Sequence, residues 1–303
     1  MKKVLLMIII SVLLIANLQG CVENSPSDDQ PNNDAGDKLE TNVGEDVLDL
    51  DEEEIHSLLN NAIEKTISEN RFMVTISENI RTQRTRENDI TNDGSSINID
   101  TVTNMKSEIR YINYNMDGEE IYRSNNTTVE QTATSISTNE VLKIDTFSEE
   151  SIDYIKDGIL YWTKTRMDGN TVRHQRMCEN KKILSLALIE NYNKSYIEHI
   201  DFSEANIDEI GNTTTITVSI DEDVYNHLKY GKSIESSSSY ADMVAQFTIE
   251  DGYLVNFKVE ALLDNNTAEG KKEPWSIDYR FHSFDGDFLI IPPEGYEYFE
   301  QET

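Results

Sequence analysis

Six Asp-Gly pairs punctuate the sequence, at Asp93, Asp117, Asp157, Asp168, Asp251 and Asp285, and Gly211-Asn212 adds a seventh candidate reversal. Asp-Gly suits the left-handed backbone of a two-residue hairpin turn, so such pairs set among alternating apolar and polar residues specify antiparallel strands. The alternation is present. Phe72, Val74 and Ile76 alternate with Met73, Thr75 and Ser77, and Ile216, Val218 and Ile220 alternate with Thr and Ser. Val255, Phe257, Val259 and Ala261 alternate with Asn256, Lys258 and Glu260, and Ile277, Tyr279 and Phe281 with Asp278, Arg280 and His282. A period of two turns one set of side chains to a core and leaves the other in water, as half-buried strands require.

The stretch LDLDEEEIHSLLNNAIEKTISEN has a different period. Ile55, Leu58, Leu59, Ala62, Ile63 and Ile67 make a one-sided helical stripe. Asp51 with Glu54 three residues later forms a capping pattern and puts negative charge at the positive helix end. Such a helix is not stable alone and needs a surface to cover its stripe. Ile183, Leu184, Ala187, Leu188 and Asn191 predict a second helix, and Val224, Tyr225 and Leu228 a shorter third; Ser236 to Ser239 reads as a loop. The expected fold class is α+β over residues 50–303: one domain with a large curled antiparallel sheet, an incomplete barrel, packed on a few helices.

The N-terminus reads as an address. Lys2 and Lys3 precede a mostly apolar run from Val4 to Leu18, the length of a signal-peptide core and short of the ~20 residues of a spanning helix. Leu18-Gln19-Gly20-Cys21 resembles the lipobox of secreted lipoproteins, with Gln19 where a small residue is usual. That resemblance implies a signal peptide over 1–20, acylation of Cys21, and a protein held on the extracytoplasmic face of the cell membrane by its N-terminal lipid. An uncleaved signal anchor and a buried helix are the alternatives. Residues 21–49 hold nine acids, one Lys and almost nothing to bury, the composition of an extended disordered tether.

With 57 acidic against 26 basic side chains the net charge is −31, which excludes nucleic acid and anionic lipid head groups as natural partners and favours a monomer. Cys21 and Cys178 are the two cysteines, so acylation of the first leaves no intramolecular disulfide and no cysteine-built metal cluster. Stability must come from an ordinary core, for which 14 Tyr and 9 Phe provide material.

Catalytic motifs are absent from the sequence: no HExxH, GxSxG, Walker loop or GxGxxG after a strand. His56, His174, His199, His227 and His282 are scattered without ligand spacing, and no metal or cofactor is expected. Asp89, Asp93, Gly94 and Asp100 match part of a calcium loop, but Thr91 at its third position favours a hairpin turn. Asn125, Asn126, Asn193, Asn212 and Asn265 head Asn-x-Ser/Thr sequons, expected in turns, helix ends or loops, and are candidate glycosylation sites. Tyr154, Tyr161, Trp162, Trp275, Tyr279 and Phe281 lie on or beside strands; they either pack a sheet face or line an apolar ligand cavity.

Three features resemble the superfamily of outer-membrane-lipoprotein carriers and mycobacterial lipoproteins, in which an antiparallel half-barrel curls around helices. They are the lipidated N-terminus with spacer, the hairpin from Asp153 to Trp162, and Tyr279 to Phe284 followed by Ile290-Ile291-Pro292-Pro293. The resemblance spans about residues 50 to 295 and implies a non-enzymatic protein that binds or carries a lipid or other apolar molecule, without assigning it a binding residue. Fold alone does not carry function. An acidic, glycosylated surface module for adhesion and an exported hydrolase are the competing readings.

Overall fold

Two of the Asp-Gly pairs close two-residue hairpins with both residues left-handed: Asp157 and Gly158 at φ 52° and 75°, Asp251 and Gly252 at 51° and 78°. They belong to a computed structural model that describes residues 50–87, 96–114, 116–165, 169–177, 183–184, 186–234, 239–264 and 272–301. The readings on the signal peptide, Cys21, the spacer, Asp89, Thr91, Asp93, Gly94, Asp168, Cys178, Ser236 to Ser238 and Asn265 lie outside the described residues, and Ser239, expected in a loop, already opens a strand.

The first strands are β1 (Arg71–Glu87), β2 (Ser96–Ile112), β3 (Glu120–Ser135), β4 (Val141–Lys156), β5 (Ile159–Thr165) and β6 (Thr171–Met177). After them come β7 (Asn206–Ile210), β8 (Thr213–Ser219), β9 (Ser239–Glu250), β10 (Tyr253–Asp264), β11 (Lys272–His282) and β12 (Glu300–Gln301). All twelve join one sheet in the order β12-β6-β5-β4-β3-β2-β1-β11-β10-β9-β8-β7. Two meanders meet where β1 pairs with β11, and the sheet stays open, with β7 and β12 at its edges. The expectation of a purely antiparallel sheet is corrected at one place. β12 runs parallel to β6, because the chain leaves β11 at the middle of the sheet and crosses β1 to β6 before adding that strand.

Four α-helices accompany the strands among the described residues: α1 (Glu52–Ser68), α2 (Ala187–Glu190), α3 (Ser195–Glu198) and α4 (Glu222–Tyr230). Asp51 and Glu54 close the capping box, each side chain accepting the other's backbone N–H, at 2.9 and 3.0 Å. Ile55, Leu59, Ala62 and Ile63 then bury the α1 stripe in the core with Phe72, Val74 and Ile76 of β1. Thr66 fixes the helix to β10: its hydroxyl accepts the Leu254 N–H at 2.9 Å and donates to the Ala62 carbonyl. No helix among the described residues is long and apolar enough to cross a membrane.

The second predicted helix is corrected to two single turns. Ile183, Leu184, Leu186, Ala187, Leu188 and Ile189 are all buried, so this run has no polar face and threads through the core as a linker from one edge of the sheet toward the other. A β-bulge also shifts β10, between Leu254 and Asn256, and makes Leu254 the buried residue there while Val255 is half-buried.

On the face away from the helices the C-terminal chain forms a strap. The Asp285 N–H reaches the Arg71 carbonyl at 2.9 Å, and Arg110 donates to the Leu289 carbonyl at 2.9 Å. Tyr296 meets Tyr154 and Tyr161 edge-on at 5.3 and 4.9 Å, and Phe299 buries its ring beside Tyr161 before β12 begins.

Candidate functional site

Along β1 the even-numbered residues Phe72, Val74, Ile76, Glu78 and Ile80 are all buried against the helices, and Glu78 is the one acid among them. Its Oε1 accepts the indole N–H of Trp275 at 3.1 Å. Its Oε2 has no hydrogen-bond partner among the described residues. Lys229 of α4 is 2% exposed and its ammonium likewise lacks a hydrogen-bond partner, standing 5.6 and 5.3 Å from the rings of Tyr225 and Tyr230. The Tyr225 hydroxyl is a third buried polar group without a hydrogen-bond partner among the described residues. Trp275 packs these together, its ring 5.5 Å from Tyr225 and 4.9 Å from Tyr240.

Burial governs the charges here. It pushes the Glu78 carboxyl well above the usual carboxylate range, against the opposing pull of Lys229 and the Trp275 hydrogen bond. It brings the Lys229 ammonium down to about 8, opposed by Glu78. Burial and the nearby Glu78 also raise Tyr230 to about 12. Every group is driven toward its neutral form, which is the signature of charge held in a low-dielectric setting without enough compensation.

The wall over this set is α4. Asp221 caps it by accepting the Val224 N–H at 2.8 Å, and Gly231 ends it in the left-handed region at φ 69°. A Cβ at Gly231 would stand 2.5 Å from the Tyr196 hydroxyl, so only glycine lets the chain turn this close to α3.

A second group of functional side chains lies on the same face of β2–β6. Strand register sets Ile109, Arg123, Asp153, Trp162 and His174 directly opposite one another in a row, with Ser107, Asn125, Ser151, Lys164 and Val172 in the next. Asn125 accepts from Ser107 and from Arg123 and donates to Ser151 at 3.0 Å. Arg123 also donates to the Ile183 carbonyl at 2.7 Å and lies 3.9 Å from Asp153.

The six aromatic residues, expected to pack one sheet face or to line a cavity, therefore separate. Trp275, Tyr279 and Phe281 are 2% exposed in the core; Trp162 lies in the polar row; Tyr154 and Tyr161 sit on the opposite face, under Tyr296. The reason is strand parity, which sends adjacent residues such as Tyr161 and Trp162 to opposite faces. Asn125 and Asn126 are corrected from a turn to the middle of β3, whereas Asn193 precedes α3 and Asn212 stands in the β7–β8 turn. Asp100, one of the calcium-loop candidates, is in β2 and takes the Arg81 guanidinium at 2.5 Å.

The histidines lie apart except for His199 and His227, whose rings are 4.2 Å from each other. Among the described residues no three His, Cys, Asp or Glu side chains gather where one metal ion could sit. An open cleft of about 680 Å³ on the strap-bearing side is lined by Asn79, Arg81, Glu260, Leu262, Pro274 and Ser276, with Ser276 directly opposite Glu260 across the β10–β11 pair and no histidine among the lining residues. Sequence reading missed Glu78 and Lys229. Parity was the available signal, since Glu78 extends the inward series Phe72, Val74 and Ile76. Neither a family model nor a curated protein matches this chain.

Proposed function

We propose that the protein is a lipid-anchored, extracytoplasmic binding protein. Cys21 carries the anchor and residues 22–49 the tether. The sheet, curled as an incomplete barrel, receives the apolar body of an amphiphilic ligand beside Trp275 and Tyr279, with α4 as the displaceable wall. The observation that supports this reading is the set of three buried polar groups without a hydrogen-bond partner among the described residues, Glu78 Oε2, Lys229 Nζ and the Tyr225 hydroxyl, inside an aromatic cage. A core kept for stability alone gains from replacing such a pair by apolar side chains. Buried polar groups retained without partners, next to aromatic surface, are the ingredients of a ligand site.

The test uses a chain starting at residue 22, purified without detergent, extracted with organic solvent and analysed by mass spectrometry, with thermal shifts measured against lauric acid and lysophosphatidylcholine. Bound lipid in the extract, or a saturable upward shift, is expected, and both should vanish in the Glu78→Gln/Lys229→Met double variant. Lipid-free protein that neither amphiphile stabilises overturns the reading. Intact mass of the full-length chain extracted from membranes tests acylation at Cys21 separately.

A further inference from the structure

We propose that the polar row on β3–β6 is a second binding site, independent of the core beneath α4, and that it takes a neutral, hydroxyl-rich glycan. Four observations combine. The row Arg123, Asp153, Trp162, His174 is set by direct cross-strand register, and three steps of the ~4.8 Å strand spacing make it roughly 14 Å long, room for a short oligosaccharide. Trp162 is half-buried, and its one ring partner among the described residues is His174, 4.9 Å away. The Nδ1 atom of His174 is buried without a hydrogen-bond partner among the described residues. Next to Trp162 on β4 stand the carboxyl of Asp153, directly opposite, and the hydroxyl of Ser151, one diagonal away, and the amide of Asn125 continues the polar strip on β3.

The charges of the strip decide the ligand class. Arg123 is committed to Asn125, the Ile183 carbonyl and Asp153; Lys164 is paired with Glu149 at 2.6 Å; and Arg176 is engaged as well. With the cations already satisfied, the strip offers an ionic ligand little, and the −31 net charge repels polyanions. What it offers is an aromatic plate flanked by amide, hydroxyl and carboxylate groups. An aromatic ring packs on the C–H face of a sugar while fixed polar groups at its margin take the hydroxyls. The C-terminal strap crosses the opposite face, under which Tyr154 and Tyr161 lie; on this face the linker reaches Arg123 through the Ile183 carbonyl, and Trp162 and His174 beyond it are only half-buried.

Titration calorimetry on the full-length protein tests the site with cellotetraose, maltotetraose and the tetramer of N-acetylglucosamine, with tetragalacturonate as the anionic control. Trp162 and Trp275 are the two tryptophans, so the difference in fluorescence response between wild type and Trp162→Phe isolates the surface ring. Saturable binding of at least one neutral oligosaccharide is expected, with a Trp162-dependent fluorescence change. Trp162→Ala should weaken it about tenfold, the scale of one lost aromatic contact, with Trp162→Phe retaining most of the affinity. Unchanged lipid retention in Trp162→Ala would separate this site from the one under α4. No binding of any neutral oligosaccharide, binding indifferent to Trp162→Ala in a variant that unfolds like wild type, or binding of tetragalacturonate alone each overturns the proposal.

Discussion

Trp275 donates its indole N–H to Glu78 at 3.1 Å along a diagonal of the β1–β11 ladder, in which Trp275 faces Ile80 and Glu78 faces Ile277. The carboxyl is thus held by one firm hydrogen bond, while Lys229 contributes attraction from α4 without a hydrogen bond.

A double-mutant cycle measures that attraction. Lys229→Met leaves a buried acid without its cation, and Glu78→Gln leaves a buried ammonium without its anion while keeping an acceptor for Trp275. Each single change is expected to cost about 3 kcal/mol, with the double variant within about 1 kcal/mol of wild type or above it. Urea unfolding provides the measurement. Additive losses in the double variant would show that the two groups do not act as a pair.

The same lysine predicts a pH dependence. Its folded pKa of about 8 lies below the ordinary 10.5, so the unfolded chain holds more protons in that interval and stability rises with pH through it. The tyrosines with raised pKa work in the opposite direction but only above their ordinary value of 10, which leaves pH 8 to 10 as the clean window. Between those limits wild type should gain roughly 2 kcal/mol relative to Lys229→Met, which cannot titrate there. Glu78, raised in the fold, contributes stability below its ordinary 4.5 and loses it as pH rises through its folded value, so acid unfolding is the wrong place to look for the lysine. Parallel stability curves for the two proteins from pH 8 to 10 would refute the assignment.

The elements legible in the sequence were those whose pattern one element carries by itself. The Asp51–Glu54 cap and the stripe from Ile55 to Ile67 defined α1, and Asp157-Gly158 and Asp251-Gly252 defined two turns. β3 and β4 were not legible as long strands, because runs such as Asn125-Asn126-Thr127-Thr128 carry polar residues on both faces and owe their pairing to neighbours. The site was half legible. Trp275 and Tyr279 stood out as inward aromatics, but their partners Glu78 and Lys229 come from elements about 150 residues apart and meet only through the β1–β11 pairing and the position of α4.

Glycine chemistry separates two positions with nearly the same backbone. Gly231 and Gly158 are both left-handed, at φ 69° and 75°, yet a Cβ meets Tyr196 at the first and nothing within 4 Å at the second. Gly158→Ala should cost about 1 kcal/mol, the strain of a left-handed alanine. Gly231→Ala adds displacement of a tyrosine packed beside α4 and should cost about 3 kcal/mol. Thermal unfolding of the two variants checks the difference, and equal losses would mean that Tyr196 swings away freely.

Phe299 tests the strap. Its ring is 5% exposed beside Tyr161, two residues from the parallel pairing of Gln301 with Gln175 that ends the sheet. Truncating a buried phenylalanine costs about 3 kcal/mol when its surroundings cannot collapse, and here the loss falls on a peripheral segment held by few other contacts. Phe299→Ala should therefore release residues 284–301 and the β6 edge while leaving the core intact. Hydrogen exchange should show faster exchange at Phe299 and along β6, where Glu300 and Gln301 pair with His174 and Gln175. Protection in α1 and β8–β11 should match wild type, because their core of Ile55, Leu59, Phe247 and Phe257 lies across the sheet from the strap. Uniform loss of protection would make the strap part of the global folding unit, and no change at β6 would mean that Tyr296 alone holds it against Tyr154 and Tyr161.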